Sequence, residues 1–498
     1  MSRFARVVIV VLTLAGAMFL GGRWFLSTYD DREPSRLTFM EACADCHGAR
    51  LEGSETGPAL VGRVLAHGAT TPELVRSIRE QHEYLPPEVS GPMVKALALF
   101  VSERRQSLPS IVDSHRHAIP DGPVRTQHHE FTVERVTELS SGPYSIEPMP
   151  DGRILVSEKV RGLSVVDAAG AQGDLVEGTP EVWREIIHIR GSYVGLGQML
   201  DVELHPDYAS TGWVYISHAD RCQLDCGTPW PKSMVRVVRG RLVENQWVDQ
   251  EVVWSVHTDN YTVVPDGVAG GRLAFDAAGD LYITVGGKST YDNLHVMDTP
   301  YGKIHRVHDD GTVPDDNPFW LPDSERLQTS ARNTVYTYGH RTTQGLATNP
   351  STGLIWSTEM GPRGGDEINK VVAGGNYGWP LYTNGLDYDA TPISIGQDLG
   401  LDFALSETIL PVVDFTPAPS LSNFTFHQGD QFPGWENDLL VGSLRAQTLF
   451  RIRLAGDEGQ RLLPKVRESL REVLSGYAGD NGVWAPSSTW FVSALNPA

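Results

Sequence analysis

A short unit that alternates apolar with small or polar residues recurs along the chain after residue 131. Such period-two alternation is typical of a half-buried β-strand. A sheet built from one unit is too small to bury its own face, so the repeats predict a β-propeller, mainly β in class. Six blades fit the chain length, and seven stay open. The copies are 151–158 (DGRILVSE), 211–218 (TGWVYISH), 279–286 (GDLYITVG), 352–359 (TGLIWSTE) and 436–443 (ENDLLVGS), with 489–494 (TWFVSA) as a candidate sixth.

The segment before these repeats has helical spacing instead. Residues 71–81 (TPELVRSIREQ) predict a helix with a threonine near its cap, and residues 92–105 (PMVKALALFVSERR) predict a final amphipathic helix. Residues 109–130 mix Pro, His and Ser without periodicity, as a linker does. The domains are therefore predicted as a hydrophobic N-terminal helix (1–31), a small all-α domain (32–108), the linker (109–130) and the propeller (131–498).

An apolar run begins the chain, from Val7 to Leu20, and it follows Arg3 and Arg6. This order is typical of a signal peptide or a short signal-anchor. No small-x-small cleavage site follows directly, which favours an uncleaved anchor. Arginines before the run orient the remainder outside the cytoplasm. In a bacterium we therefore expect a periplasmic protein anchored to the inner membrane, or a secreted one if the segment is cleaved.

Composition narrows the function classes. The chain has 498 residues and a formal charge of -21, which disfavours nucleic acid as a partner because that needs a basic surface. Two of its four cysteines, Cys222 and Cys226, lie in a loop rich in Asp, Gly and Pro. We predict a local disulfide between them in an oxidising compartment. Two free thiols are the alternative.

The other two cysteines form the string CADCH at 43–47. Cys-x-x-Cys-His is typical of covalent haem attachment, with Cys43 and Cys46 as thioethers and His47 as the iron ligand. The alternative is a redox Cys-x-x-Cys pair. A Gly-Pro-Ala-Leu turn follows at 57–60, so this domain resembles class I cytochrome c.

The second axial ligand of that haem is open. Class I cytochromes carry Met-Pro between the last two helices, whereas this chain has Leu85 before Pro86. Met93, at the start of the last helix, is the predicted substitute. His82 is an alternative, and a five-coordinate iron is another.

Several propeller loops are dense in Gly, Pro and charge, and loops of this kind converge at one end of the channel. As an ordered series they resemble the soluble glucose/sorbosone (aldose sugar) dehydrogenase family. The resemblance implies a six-bladed propeller that oxidises sugars with pyrroloquinoline quinone (PQQ) and calcium. The motifs are 270–275 (GGRLAF), 302–319 (GKIHRVHDDGTVPDDNPF), 339–347 (GHRTTQGLA), 361–369 (GPRGGDEIN) and 374–380 (GGNYGWP).

The resemblance also implies roles for individual residues. Calcium would be held by the carbonyl oxygens of Gly361 and Pro362, a donor type that calcium accepts readily. The quinone would contact Arg341, Thr342 (an asparagine in the family), Gln198 or Leu196, and Arg445. The alternative for His340 and Arg341 is that they only brace a blade junction. For Asp366 and Glu367, local capping or pairing is a better expectation than metal binding.

One departure affects catalysis directly. The family's general base is a histidine before the GGRL string, and Val268 stands there in this chain. Valine cannot accept a proton, and loss of a positioned base costs about 10²- to 10⁴-fold in rate. Asp266 and Asp201 are the candidate replacements.

These observations predict a haem-linked quinoprotein dehydrogenase that oxidises a sugar or another alcohol. Electrons would pass from PQQ to the chain's own haem c and then to a respiratory acceptor, because a tethered acceptor has a high effective concentration. The alternative is a propeller that has lost PQQ catalysis and binds a carbohydrate or protein, or docks an electron-transfer partner.

Overall fold

The computed structural model describes residues 34–69, 71–82, 85–86, 89, 91–105, 122–125, 130–139, 142–182, 187–189, 192–194, 198–222, 232–263, 269–287, 290–388, 390–454, 478–479 and 482–483. The predicted N-terminal hydrophobic helix and the histidines of the linker lie outside these ranges. Among the helices within them, none is both long and apolar enough to span a bilayer.

The N-terminal domain is helical, and both helices predicted for it are confirmed. It contains α1 (Pro34–Ala42), α2 (Ala44–His47), α3 (Thr71–Glu80) and α4 (Pro92–Arg105). Phe39 of α1, Leu74 of α3 and Leu97 of α4 pack in one core. α1 and α3 both contact α4, so α4 is the central element of the domain.

α4 differs from its prediction in one respect. An amphipathic helix should leave one face in water, yet nearly every residue from Val94 to Glu103 is buried. One side of α4 packs on the helical core, and Ala96 and Leu99 pack on Leu386 and Ala390 of the β domain. The second apolar face is therefore an interface between the two domains.

The β domain consists of small antiparallel sheets, preceded by the β1–β2 hairpin (Val124–Arg125, Glu130–Phe131). We name the sheets blades 1 to 5 in chain order. Blade 1 has β3 (Pro143–Pro148), β4 (Ile154–Glu158), β5 (Gly162–Val166) and β6 (Gln172–Leu175), and the hairpin β7 (Ile187–Ile189) and β8 (Ser192–Val194) follows. Blade 2 has β9 (Met199–Leu204), β10 (Trp213–Cys222), β11 (Lys232–Val243) and β12 (Gln246–Trp254). Blade 3 has β13 (Gly270–Phe275), β14 (Leu281–Val285), β15 (Lys303–Val307) and β16 (Val335–Tyr338).

Blade 4 has β17 (Thr343–Thr348), β18 (Ile355–Glu359), β19 (Asp366–Lys370) and β20 (Val413–Phe415), and blade 5 has β21 (Leu421–Phe426), β22 (Leu439–Ser443) and β23 (Leu449–Ile452). A separate pair follows, β24 (Ala478–Gly479) with β25 (Gly482–Val483). Short helices in the loops are α5 (Tyr208–Thr211), α6 (Ile395–Asp398) and four 3₁₀ turns (Thr258–Asn260, Tyr291–Asn293, Arg332–Thr334, Leu405–Glu407). The first strands of successive blades contact one another, β3 with β9, β9 with β13, β13 with β17 and β17 with β21, which is the arrangement of a propeller.

The predicted six blades are corrected to five within the described residues. Six blades of ordinary size fit the chain length, but much of this chain lies in long strands and long loops instead of in further blades. Blade 2 uses strands of up to 12 residues, and long excursions occupy 308–334 and 371–412. The candidate sixth copy at 489–494 lies outside the described residues.

Each of the five predicted repeat units is confirmed as the second strand of its blade, namely β4, β10, β14, β18 and β22. Their burial is greater than the alternation indicates, because every residue of β14 and β18 is buried. Neighbouring blades cover both faces of these strands, so the polar positions of the pattern point into protein and must find partners there.

Hydroxyl side chains at the same place in three repeats link successive blades. Ser157 donates to the carbonyl oxygen of Leu200. Ser217 donates to the carbonyl oxygen of Gly271 at 2.5 Å, and Thr358 donates to that of Ser422 at 2.7 Å. Each bond runs from the second strand of one blade to the first strand of the next, which fixes the rotation between blades.

Replacing Ser217 with alanine is expected to destabilise the propeller by about 1–3 kcal/mol, because two buried backbone groups lose their partner. The Ser217 hydroxyl also accepts from the Asp201 amide at 2.9 Å, and the side chain is completely buried. Urea denaturation measures the change. The exposed Ser351→Ala serves as the control and should stay within about 0.5 kcal/mol of wild type. Equal stabilities for Ser217→Ala and the control would contradict the linking role.

Candidate active site

The predicted cofactor residues lie at one end of the propeller, where the first strands begin. Gln198 directly precedes β9, and Arg341 with Thr342 directly precedes β17. Asp266 and Val268 precede β13 but lie outside the described residues, as does Leu196. The fold therefore gathers at one rim loops that are far apart in sequence.

Arg341 is the centre of this rim. Its side chain is buried, and Nη1 donates to the carbonyl oxygens of Met360 at 2.8 Å and Gly361 at 3.1 Å. Nη2 donates to the hydroxyl of Tyr388 at 3.0 Å. The guanidinium also lies 5.4 Å from the ring centroid of Trp379, within cation–π range. Arg341 thus joins three loops through one side chain.

The carboxylate of Glu359 binds two residues of the turn that precedes β17, His340 and Arg341. Its Oε2 lies 2.9 Å from Nδ1 of His340, and its Oε1 accepts from the backbone amide of Arg341. His340 also contacts Thr337 at 2.9 Å and stacks on Tyr377 with centroids 4.3 Å apart. His340 therefore braces the junction between blades 3 and 4, which is the alternative to a cofactor contact given for it above. The side chain of Arg341 extends past this junction.

Among the described residues, Nε of Arg341, Oγ1 of Thr342 and Nε1 of Trp379 are buried at this rim without a hydrogen-bond partner. Burial of an unpaired donor costs free energy, so a native site with several of them is suited to a polar guest. PQQ, a planar quinone with several carboxylates, has the acceptor oxygens that a guanidinium, a hydroxyl and an indole N–H can bind. These residues fit that cofactor.

One of the two predicted calcium ligands, the carbonyl oxygen of Gly361, already has a hydrogen-bond donor. The carbonyl oxygen of Gly361 already accepts from Arg341, so a divalent cation there would face a guanidinium. Gly361 itself is held by its amide, which donates to Oδ1 of Asp366 at 2.8 Å, while Oδ2 of Asp366 accepts from Leu421 at 2.8 Å. Asp366 thus pairs locally, as expected. Within the described ranges no cluster of three or more His, Cys, Asp or Glu is arranged to hold a metal.

Asp201 is not placed to act as a base. Its Oδ1 lies 3.2 Å from Arg272, its Oδ2 accepts from the amide of Leu273 at 2.9 Å, and the side chain is buried. Gly270 and Gly271 both have positive φ, and a Cβ on Gly271 would lie 2.6 Å from Leu200. The GGRL motif therefore serves to place Arg272 against Asp201 across blades 2 and 3.

The two remaining quinone candidates differ in their surroundings. Gln198 is partly buried, and its carbonyl oxygen accepts from the Ala219 amide at 2.8 Å. Arg445 does not face an open rim. Its Nη1 donates to Oε1 of Glu103, a residue of the helical domain, at 3.0 Å. A carboxylate therefore already occupies the position where the family resemblance places the cofactor's carboxylates.

Glu103 is the main polar contact between the two domains. Its Oε2 also accepts from Arg363 at 2.9 Å, and both side chains are almost fully buried. Lys95 of α4 donates to the carbonyl oxygen of Asn384 at 3.0 Å, and Thr71 of α3 donates to that of Thr416 at 3.1 Å. The helical domain is thus fixed by charged and neutral hydrogen bonds around the apolar contact of α4.

The loop 384–390 connects this interface with Arg341. Leu386 and Ala390 of the loop pack on α4, and Tyr388, between them in sequence, accepts from Arg341. Arg363 is bonded to the same loop through the backbone of Leu386. The candidate cofactor site and the helical domain therefore share a loop.

The predicted haem site lies in that helical domain. Cys43 and Cys46 are free of disulfides, and His47 contacts the carbonyl oxygen of Pro58 through Nδ1 at 2.8 Å, which leaves Nε2 for iron. Burial, and then the neighbouring Cys46, raises the pKa of Cys43 to about 11. A redox Cys-x-x-Cys needs a low thiol pKa, so this environment disfavours that alternative.

Two further sequence predictions have partial outcomes. Cys222 is disulfide-bonded, but Cys226 lies outside the described residues, so their pairing stays a prediction. Met93, the predicted second iron ligand, packs against the helical core and against the apolar interface with the propeller.

A pair of carboxylates on the first strands of blades 1 and 2 gives a pH-dependent prediction. Burial, followed by the charge of Asp201, raises the pKa of Glu147 to about 7, and burial with Glu147 raises that of Glu203. The ordinary pKa of Glu is about 4.3, so the folded protein loses stability as pH rises from there to about 7.

Replacing Glu147 with glutamine removes this loss. The variant should gain stability over wild type between pH 5 and pH 8, on the order of 1–2 kcal/mol because Glu147 is partly exposed. Denaturant unfolding at both pH values measures the gain. The exposed Glu134→Gln is the control, and a gain of equal size in both variants would rule out the carboxylate pair as its cause.

The fold is a β-propeller whose rim gathers loops around the buried Arg341, beside a helical domain. The family model described as Glucose / Sorbosone dehydrogenase matches residues 140–486. The chain therefore belongs to the glucose/sorbosone dehydrogenase family and is a dehydrogenase.

Similar proteins also carry the names of sugar dehydrogenases. "Aldose sugar dehydrogenase YliI" of Escherichia coli K12 is 31% identical over 357 residues, covering 70% of this chain and 88% of its own. "Quinoprotein glucose dehydrogenase B" of Acinetobacter calcoaceticus is 26% identical, covering 66% of this chain and 79% of its own. Among solved structures, the apo-form of the Escherichia coli soluble aldose sugar dehydrogenase superposes with a TM-score of 0.54 at 30% identity, covering 64% and 84% of the two chains. The family match begins at residue 140, so it leaves the helical domain outside.

Proposed function

We propose that this chain is a haem-linked quinoprotein dehydrogenase, which oxidises a sugar or another alcohol with PQQ and passes the electrons to its own haem c. Family membership supports the dehydrogenase half. The haem half is supported by the free cysteines and oriented histidine of the CADCH string. The observation that carries the link is the loop 384–390, which contacts α4 on one side and Arg341 on the other.

When bound, PQQ supplies a two-electron acceptor for the hydride of the substrate's C–H bond. Arg341 would hold an acceptor oxygen of the cofactor through its unpaired Nε, and Thr342 and Trp379 offer the next donors. The brace of His340 and Glu359 keeps Arg341 in place before the cofactor arrives, which reduces the cost of binding.

The substrate's hydroxyl proton needs an acceptor, because Val268 replaces the family's histidine. Both oxygens of Asp201 are engaged, which leaves Asp266 as the proposed acceptor. Calcium at Gly361 and Pro362 belongs to this proposal only if Arg341 turns from the Gly361 carbonyl towards the cofactor.

We also propose the periplasmic side of the inner membrane as the location, with the N-terminal hydrophobic run as anchor and a respiratory carrier as the final acceptor. The disulfide of Cys222 supports this location, because disulfides persist in oxidising compartments such as the periplasm. A thioether-bound haem would suit the same compartment.

The test is to titrate the purified full-length haem protein with PQQ, with and without calcium, and to follow haem reduction after adding a panel of sugars and alcohols. Saturable PQQ binding and substrate-dependent haem reduction are expected. PQQ binding without haem reduction would remove the link, and no PQQ binding would remove the enzyme.

One observation favours the second candidate, a propeller that binds a ligand or a partner without PQQ. Glu103 already neutralises Arg363 and Arg445, as a cofactor carboxylate would. The PQQ titration distinguishes the two candidates, because only the first requires the cofactor.

A further inference from the structure

Two histidine rings of the helical domain lie in edge contact. The ring centroids of His47 and His82 are 6.1 Å apart, and their planes are inclined by 65°. His47 ends α2 in the CADCH string, whereas His82 comes two residues after α3. Two segments more than thirty residues apart therefore bring their imidazoles to one place.

Within the described ranges both rings are hydrogen-bonded through the same atom, Nδ1, and neither has a bond at Nε2. Nδ1 of His47 lies 2.8 Å from the carbonyl oxygen of Pro58, and Nδ1 of His82 lies 3.1 Å from that of Ile78. A carbonyl oxygen only accepts, so each Nδ1 carries the proton and donates it. In a neutral imidazole that donates from Nδ1, the lone pair is on Nε2, which is the form of histidine that binds a metal. The Nδ1 bond to a carbonyl oxygen is also the usual outer hydrogen bond of a metal-bound imidazole.

The separation of the rings suits one shared iron. A metal–imidazole bond is about 2 Å long, so two imidazoles on opposite sides of one metal have centroids about 6 Å apart. The observed 6.1 Å matches that spacing. Other ring pairs in the protein have the same spacing, such as His427 and Trp435 at 6.2 Å, so the distance permits a shared iron and the arrangement of the ring nitrogens has to carry the argument.

The competing residues have other surroundings. Met93 packs in the apolar core of the helical domain and at the contact with Leu386 and Ala390. Leu85 has no atom that binds iron, and it also packs against the helical core. His82 is the exposed residue of the three.

We propose that His82 is the second axial ligand, so that the haem is bis-histidine rather than histidine–methionine. This inference rests on the proposed function only in requiring a haem on Cys43 and Cys46. Methionine ligation raises the reduction potential of a c-type haem, so the histidine gives this haem a lower potential than the family pattern implies.

The test uses the full-length haem protein and spectroscopy of the ferric iron, which needs neither PQQ nor substrate. The wild type should be low-spin, should lack the long-wavelength charge-transfer band of methionine-ligated ferric haem, and should give a strongly anisotropic EPR signal because the ring planes are inclined. His82→Ala should convert it to high-spin iron. His82→Met should gain the charge-transfer band and shift the midpoint potential upwards. Met93→Leu and His67→Ala, another exposed histidine of the domain, should leave the spectrum unchanged.

Thermal unfolding of each variant shows whether it folds, and His82→Met keeps the test valid if His82→Ala unfolds. A methionine band in wild type that Met93→Leu removes would overturn the inference and leave the haem-linked function standing. A high-spin wild type, or a low-spin signal that both His82 variants leave unchanged, would also overturn it. Absence of thioether-bound haem would overturn the proposed function together with the inference.

Discussion

Replacing Glu103 with alanine is expected to release the helical domain from the propeller and to slow substrate-driven haem reduction. Glu103 accepts from Arg363 and Arg445, and both it and Arg363 are almost fully buried. Removing one partner of a buried ion pair costs about 3–5 kcal/mol, because the remaining charge has no compensation. At the lower end this is roughly a hundredfold in the ratio of docked to undocked molecules.

Hydrogen exchange of the backbone amides in α4 measures the release directly, since α4 is covered on its second face only while the domains are docked. Stopped-flow spectroscopy of the haem measures the electron transfer. The exposed Glu80→Ala, on the neighbouring helix, is the matched control and should change neither. If Glu103→Ala exchanges and reduces its haem as the control does, the ion pair does not hold the domains together.

The Glu103→Ala variant also tests the role of Arg445. The family resemblance assigns Arg445 to the cofactor, but in this structure Arg445 pairs with Glu103. Loss of Glu103 removes a negative charge from beside both arginines, which favours an anionic guest at that place. If PQQ binds there, its affinity should rise in Glu103→Ala even while haem reduction falls. A fall in both would mean that docking itself shapes the site.

Replacing Arg341 with lysine is expected to weaken PQQ binding by about 10- to 100-fold, the equivalent of one lost charged hydrogen bond of about 1.5–3 kcal/mol. Lysine keeps the charge but lacks the planar fork that now reaches Met360, Gly361 and Tyr388 together. Isothermal titration with PQQ measures the affinity of the folded variant.

Arg153→Lys is the matched control, because Arg153 is a partly exposed arginine of blade 1 that pairs with Asp151. Its affinity for PQQ should equal that of wild type. If Arg341→Lys lowers the unfolding temperature but leaves the PQQ affinity unchanged, Arg341 only braces a blade junction, which is the structural alternative that the sequence left open.

The sequence predicted local structure well where the pattern was periodic. The helices at 71–80 and 92–105 and all five repeat strands are where the spacing places them, because side-chain periodicity reports the backbone directly. Within the described residues the predicted six blades are five, since long loops such as 371–412 add length without adding a blade.

The site was predicted only in part. Arg341 and Thr342 have the orphaned polar atoms of a binding site, but Asp201 and Arg445 are paired instead. Sequence reasoning missed Glu103, Tyr388 and Trp379. Glu103 sits in a string of charged residues that looks like a solvated helix end, and nothing local marks its pairing with residues 260 and 342 positions away.

By itself the sequence determined the classes of structure: a ring of small sheets, a helical domain with a Cys-x-x-Cys-His string, and the family to which the propeller belongs. These depend on spacing and on short motifs, which are local properties of the chain. Only the tertiary structure decided which partner each charged or polar group has. Burial of α4, the pairing of Glu103 and the meeting of His47 with His82 all join distant segments, and such contacts arise only when the chain has folded.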